Sequence, residues 1–205
     1  MKNRAVKIIF IIFAHVAFLG MFGAKLYEST VLAAERQALV ERHIAESEEE
    51  SFAPVAAEGA ALQFTLDKML GEGNYSFEGG KGGWTLIHFW ATWCPSCLFE
   101  VGTLIKFAEM VDTDKLRIIA ISLDTDKDAA VKFWERVKKH VTQKEEIPII
   151  TLMDPEGDLA HKYGTFKLPE TFIVSPEGNL AYKFIGPRNW LSEPAESFVK
   201  KLLSR

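Results

Sequence analysis

The chain holds only two cysteines, Cys94 and Cys97, set three residues apart in Trp93-Cys94-Pro95-Ser96-Cys97. What the pair can do depends on what surrounds it. The apolar run over 84–90, interrupted by His88, reads as a strand buried on both faces. Residues 95–111 then take helical spacing, with Leu98, Val101, Leu104, Ile105 and Ala108 along one side. The cysteines therefore fall where strand turns into helix. The first helical turn offers free N–H groups and the positive end of the dipole, which stabilise a thiolate. Pro95 fits that turn because its missing N–H costs nothing there. Cys94 at the cap is expected to be exposed with a lowered pKa, and Cys97, one turn in, to be shielded. Their spacing lets the two sulfurs close a disulfide.

Two other uses of such a pair weigh less. Half a zinc site looks the same, but neither a second pair nor a histidine pair at zinc-finger spacing follows, so no metal is expected. A purely structural disulfide closing so short a loop would constrain the unfolded chain little. No cofactor is expected either. The glycine run Gly79-Gly80-Lys81-Gly82-Gly83 lacks the Ser or Thr and the helix that a phosphate loop needs, and reads as a plain loop.

The elements that must position the pair come from the rest of the 205 residues. Apolar residues at 48% and charged residues at 25% fit a globular protein. A net charge of -4 gives no basic face for nucleic acid. Residues 1–27 read as a cytoplasmic stub and a transmembrane anchor or signal. Lys2, Arg4 and Lys7 precede an apolar run over 8–24, short for a spanning helix and long for a signal core. The basic flank predicts a cytoplasmic N-terminus with the remainder exported, and cleavage near Val31-Leu32-Ala33 is the alternative to an uncleaved anchor. Either outcome places the cysteines in an oxidising compartment. Residues 28–61 read as a helical stalk with a thin Leu32, Leu39, Val40, Ile44 stripe, then a linker over 51–61 containing Pro54 and Gly59.

The folded part is expected over 62–205. Strands are predicted over 63–66, 75–77, 84–90, 116–123, 147–152, 171–174 and 180–185, with helices over 95–111, 127–140, 158–163 and 193–203. Ser175-Pro176-Glu177-Gly178 is a type I turn signal joining the last two strands. This order implies an α/β fold with a central mixed β-sheet flanked by helices.

The segment Phe89-Trp90-Ala91-Thr92-Trp93-Cys94-Pro95-Ser96-Cys97 resembles the active-site stretch of the thioredoxin superfamily. It is most similar to the membrane-anchored TlpA/ResA/CcmG (DsbE) group, the reductases of cytochrome c maturation. Leu168-Pro169-Glu170-Thr171-Phe172, Asp154-Pro155-Glu156-Gly157 with Tyr163-Gly164, and Ile185-Gly186-Pro187 carry the likeness over the whole of 62–203. The resemblance implies a thioredoxin-like fold and a cis peptide before Pro169 that leaves the Leu168 backbone free to bind an extended substrate. It implies a substrate-facing surface of Trp93, Pro95, Leu168, Pro169 and Glu170, with Trp90 beneath. Trp134 and Trp190 read as packing residues, and an exposed strand-end glutamate is the alternative for Glu170. Glu100, one turn after Cys97, matches a glutamate that exchanges protons with the buried thiol in those reductases; a solvated helix glutamate is the alternative. His88 departs from the pattern, since general thioredoxins carry an aspartate there. It reads either as a proton-transfer group or as a core histidine bonded to its neighbours.

By that likeness, a Cys94 thiolate attacks a disulfide of an exported protein, and Cys97, helped by Glu100, releases the reduced product. The implied partners are apocytochrome c or a haem-ligation protein, and a membrane thiol donor that re-reduces the pair. The implied location is the bacterial cytoplasmic membrane, single-pass, with the redox domain outside, or secretion if the signal is cleaved. A general envelope reductase, an oxidase of the same fold and a non-catalytic peptide-binding scaffold remain as alternatives. Copper-delivery relatives differ in having three residues between the cysteines.

Overall fold

Strand β4 (Trp84–Trp90) is the spine of the fold, and its burial explains its composition: from Thr85 to Trp90 every residue is sealed from solvent. A computed structural model describes residues 52–80 and 82–204. In chain order the elements are β1 (Val55–Ala56), β2 (Phe64–Asp67), β3 (Asn74–Phe77), β4, α1 (Pro95–Ala108), β5 (Leu116–Ser122), α2 (Lys127–Val141), β6 (Ile149–Met153), α3 (Asp158–Lys162), β7 (Glu170–Val174), β8 (Leu180–Ile185) and α4 (Glu193–Leu203). Six strands form one sheet in the order β1-β8-β7-β4-β5-β6, and β2 pairs with β3 in a separate hairpin. β4, β5 and β6 run parallel, whereas β7, β8 and β1 are antiparallel to their neighbours. The sheet is mixed, as the order of predicted elements implies.

Alternation along the strands divides the core. Leu86 and Ile173 face a cluster with Leu104, Phe107, Phe184, Trp190 and Val199. Ile87, Phe89, Ile119, Ile121, Phe172 and Val174 point the other way, toward Leu159 and Tyr163. A third cluster gathers Trp90, Cys94, Cys97, Val101, Trp134 and Met153 at the cysteine end. Each large side chain so buried contributes about 1.5–3 kcal/mol. The helices are capped by their own sequence: Asp126 accepts from the N–H groups of Asp128 and Ala129, and Ser192 from that of Ala195.

Residues 52–61 correct the expectation of a linker. β1 pairs with β8, and Phe52, 4% exposed, packs against Phe184, Trp190 and Phe198. A two-residue strand has no period to read, so Pro54 and Gly59 dominated the sequence pattern. The glycine run proves to be a close backbone crossing, since a Cβ on Gly80 would stand 1.8 Å from the Ser175 carbonyl oxygen. Among the described residues no helix is long and apolar enough to cross a membrane. The 8–24 run and the stalk expected over 28–50 lie outside the described residues.

Candidate active site

The corner between β4 and α1 is tied down before the cysteines begin. The Asp124 carboxylate, just past β5, accepts from the Thr92 N–H at 3.0 Å, the Thr92 hydroxyl at 2.5 Å and the Ser122 hydroxyl at 2.7 Å. Cys94 is then the N-cap of α1 and Pro95 occupies the first turn. The Cys97 N–H donates to Cys94 Sγ at 3.2 Å, and Ser96 Oγ lies 3.4 Å from the same sulfur. The two cysteines form a disulfide with their Cα atoms 5.3 Å apart.

Cys97 is fully enclosed, as expected, but Cys94 is only 6% exposed, less open than its cap position suggested. The reason is packing: both cysteines belong to the apolar cluster of Trp90 and Ala91, against which Leu168 also packs. The surface lies around Cys94 rather than on it. Trp93, Leu98 and Phe99 are 65%, 52% and 59% exposed, and Pro95 is exposed. Exposed apolar side chains therefore cluster at the head of α1, the kind of surface that marks an interaction site. Trp93 thus lies at the rim and Trp90 in the core beneath. The Leu168–Pro169 peptide is cis, with Leu168 half-buried and Pro169 buried.

Glu100 is not a solvated helix residue; it is fully buried. Its Oε1 accepts from Trp190 Nε1 at 2.9 Å and from the Thr171 hydroxyl at 3.4 Å, and its Oε2 from the Arg188 N–H at 3.0 Å. Burial pushes its pKa up to about 7, against the downward pull of Trp190, the Arg188 backbone and charge, and Thr171. His88 Nδ1 is 3.6 Å from Oε1, close enough for an ion pair. It is not one, because burial drives His88 down to about 3 and keeps the ring neutral. Its Nδ1 instead sits 2.9 Å from Thr171 Oγ1. His88 is therefore a core histidine bonded to its neighbours.

Glu170 departs from both readings of it, a side chain on the substrate-facing surface and an exposed strand-end acid. It is fully buried, with Lys183 Nζ 2.9 Å from Oε2. Thr171 reaches Glu100, so Glu170, its neighbour on β7, points to the opposite face of the sheet. There Lys183 also donates to the Gly164 carbonyl and lies over the rings of Phe166 and Phe172.

The sequence reads Trp190 as a packing residue. It packs, and it also donates to Glu100. Thr171, Arg188 and Asp124 were not singled out at all, although each places a donor or acceptor within the site. Only the fold brings Trp190 to Glu100, 90 residues away in sequence.

The model of the AhpC/TSA family matches residues 58–183. The Sporulation thiol-disulfide oxidoreductase A of Bacillus subtilis (strain 168) is 26% identical over 107 residues, 52% of this chain and 62% of that protein. The Thiol:disulfide interchange protein DsbE of Haemophilus influenzae is 31% identical over 109 residues, 53% of this chain and 54% of that protein. The chain thus spans less than two thirds of the length of either relative. The crystal structure of a thioredoxin domain of a thiol-disulfide oxidoreductase from Bacteroides vulgatus superposes with a TM-score of 0.56 at 20% identity, covering 73% of this chain and 99% of that one. The fold is thioredoxin-like.

Proposed function

The chain belongs to the AhpC/TSA family, and from that premise we propose that it is a thiol–disulfide oxidoreductase that reduces disulfides of exported proteins, apocytochrome c among them. The observation that carries this reading is the Cys94–Cys97 pair at the head of α1, with the buried Glu100 one turn further in. In the reduced protein the Cys94 thiolate attacks a substrate disulfide, forming a mixed disulfide and expelling one substrate thiolate. The Glu100 carboxylate takes the proton of the Cys97 thiol. The Cys97 thiolate then attacks Cys94 Sγ, closing the disulfide and releasing the second substrate thiolate. Two electrons pass from the cysteine pair to the substrate, whose two thiolates each take up a proton. A dithiol donor in the membrane returns the pair to its reduced form by the reverse exchange.

Trp93, Pro95, Leu168 and Pro169 border the pair and form the surface on which an extended substrate lies. Residues 1–27 hold the chain in the bacterial cytoplasmic membrane with its folded part outside, a reading supported by the basic flank and the apolar run over 8–24.

Cys97→Ser in cells is the test, because it removes the resolving thiol and leaves the substrate attached to Cys94. Recovery of apocytochrome c or a haem-ligation protein supports the reading in full. Recovery of other exported proteins alone refutes the cytochrome role and keeps the reductase. If no adduct forms and Cys94→Ser/Cys97→Ser retains function, the redox reading fails in favour of a binding scaffold.

A further inference from the structure

The exchange chemistry leaves His88 without a task, yet its surroundings restrict it closely. The ring is fully buried, and Nε2 meets no partner while Nδ1 faces Thr171 Oγ1 at 2.9 Å. The Thr171 hydroxyl has a single proton, and Oγ1 is also 3.4 Å from Glu100 Oε1. An ionised carboxylate can only accept, so with Glu100 ionised that proton belongs to Oε1. Oγ1 must then accept from the imidazole, which requires the proton of the neutral ring on Nδ1 and leaves Nε2 bare. The opposite tautomer would turn the Thr171 hydroxyl away from Glu100 and bury an Nε2–H with no acceptor, the costlier of the two orphans.

We propose that His88 and Thr171 are positioning residues for Glu100: the imidazole donates from Nδ1 to the Thr171 hydroxyl and so aims that hydroxyl's proton at Oε1. The proposal rests on the reading of Glu100 as the group that exchanges a proton with Cys97. It accounts for a neutral ring at this place, since a carboxylate on β4 would set two like charges side by side in a dry pocket. Glu100 is faced by His88 from β4, by Thr171 from β7, by Arg188 and Trp190 from the connection into α4, and by Cys97 one turn back on α1 itself. Of these, Arg188 is the cation, and its guanidinium donates to the carbonyls of Gly186 and Pro187 rather than to Glu100. The hydroxyl is therefore a separate handle on the carboxyl, and removing it raises the affinity of Glu100 for its proton.

The test uses the full chain in mild detergent with two readouts. One is the titration of the Glu100 carboxyl by carboxyl-carbon NMR in the oxidised protein. The other is the pH profile for reduction of a disulfide-bonded model peptide by the reduced protein. Thr171→Val and His88→Leu are expected to move both inflections up by about one pH unit, a tenfold change in proton affinity. Thr171→Ser and His88→Asn, which restore a hydroxyl and a neutral donor, return them to the wild-type position. Ring-nitrogen NMR of the wild type is expected to place the His88 proton on Nδ1, which tests the proposal even if His88→Leu does not fold. Unmoved inflections in folded Thr171→Val, or a proton on Nε2, overturn it. Peptide reduction absent from the wild type, with the carboxyl shifts intact, would instead refute the oxidoreductase reading and leave the positioning role standing.

Discussion

Glu100 and Glu170 are both sealed from solvent, one on each face of the same sheet, and they are compensated in opposite ways. Glu170 meets a cation: Lys183 reaches it from the adjacent strand at 2.9 Å. Glu100 meets dipoles, the indole of Trp190, the backbone of Arg188 and the hydroxyl of Thr171. An ammonium held against a carboxylate cancels its charge and makes the pair a structural unit. Those donors, with the charge of Arg188 whose guanidinium is bonded elsewhere, only partly offset desolvation, and Glu100 is left at about 7. Burial alone does not decide how an acid is compensated; the partner does.

The largest expected effect comes from isolating the two titrating groups of the Glu100 face. His88 is depressed from 6.5 to about 3, so its contribution to stability is complete above pH 6.5 and is lost as pH falls toward 3. Glu100 is raised from 4.5 to about 7, so its contribution is complete below 4.5 and is lost as pH rises to 7. Between 4.5 and 6.5 the two slopes oppose each other, and the wild type should be nearly flat there. Urea unfolding of Glu100→Gln should uncover the His88 limb, a rise of about 5 kcal/mol from pH 3 to 6.5. On the opposite face, Lys183→Met strands a buried carboxylate and should cost about 4 kcal/mol, most of it recovered in Lys183→Met/Glu170→Gln. Such a double-mutant cycle would break the comparison if the two changes simply added. His88→Asn should then uncover the Glu100 limb, a fall of about 3 kcal/mol between pH 4.5 and 7. Last, Glu100→Gln should slow reduction of a model disulfide about a hundredfold at pH 7, while Glu170→Gln leaves the rate nearly unchanged. Equal slowing by both would erase the distinction between the two carboxyls.

The same contrast shows what could be read ahead of the structure. β4, β8 and α4 fell on the bounds predicted for them, because continuous burial, a flanking turn signal and a capping serine each leave a local mark. The cysteines and the proline of the cis peptide were also visible, being rare residues in distinctive strings. The environments of the two glutamates were not. Both burials depend on pairings across strands and across the chain: Thr171 opposite His88 in the β4–β7 register, and Lys183 arriving from β8. No window of sequence contains both members of such a pair. Trp190 was legible as a core residue from its bulk, but the direction of its N–H was not, since that depends on the connection that turns it onto α1. β1 was missed because its identity belongs to its partner β8.

The Asp124 clamp has a consequence for turnover. By fastening Thr92 and Ser122 to one carboxylate, it anchors the corner ahead of Cys94 through bonds that include neither sulfur. The hold on that corner is therefore independent of whether the S–S bond is closed. If the pair turns over as proposed, electrons leave and return on a corner already fixed, and a substrate meets the same face at each end of the cycle.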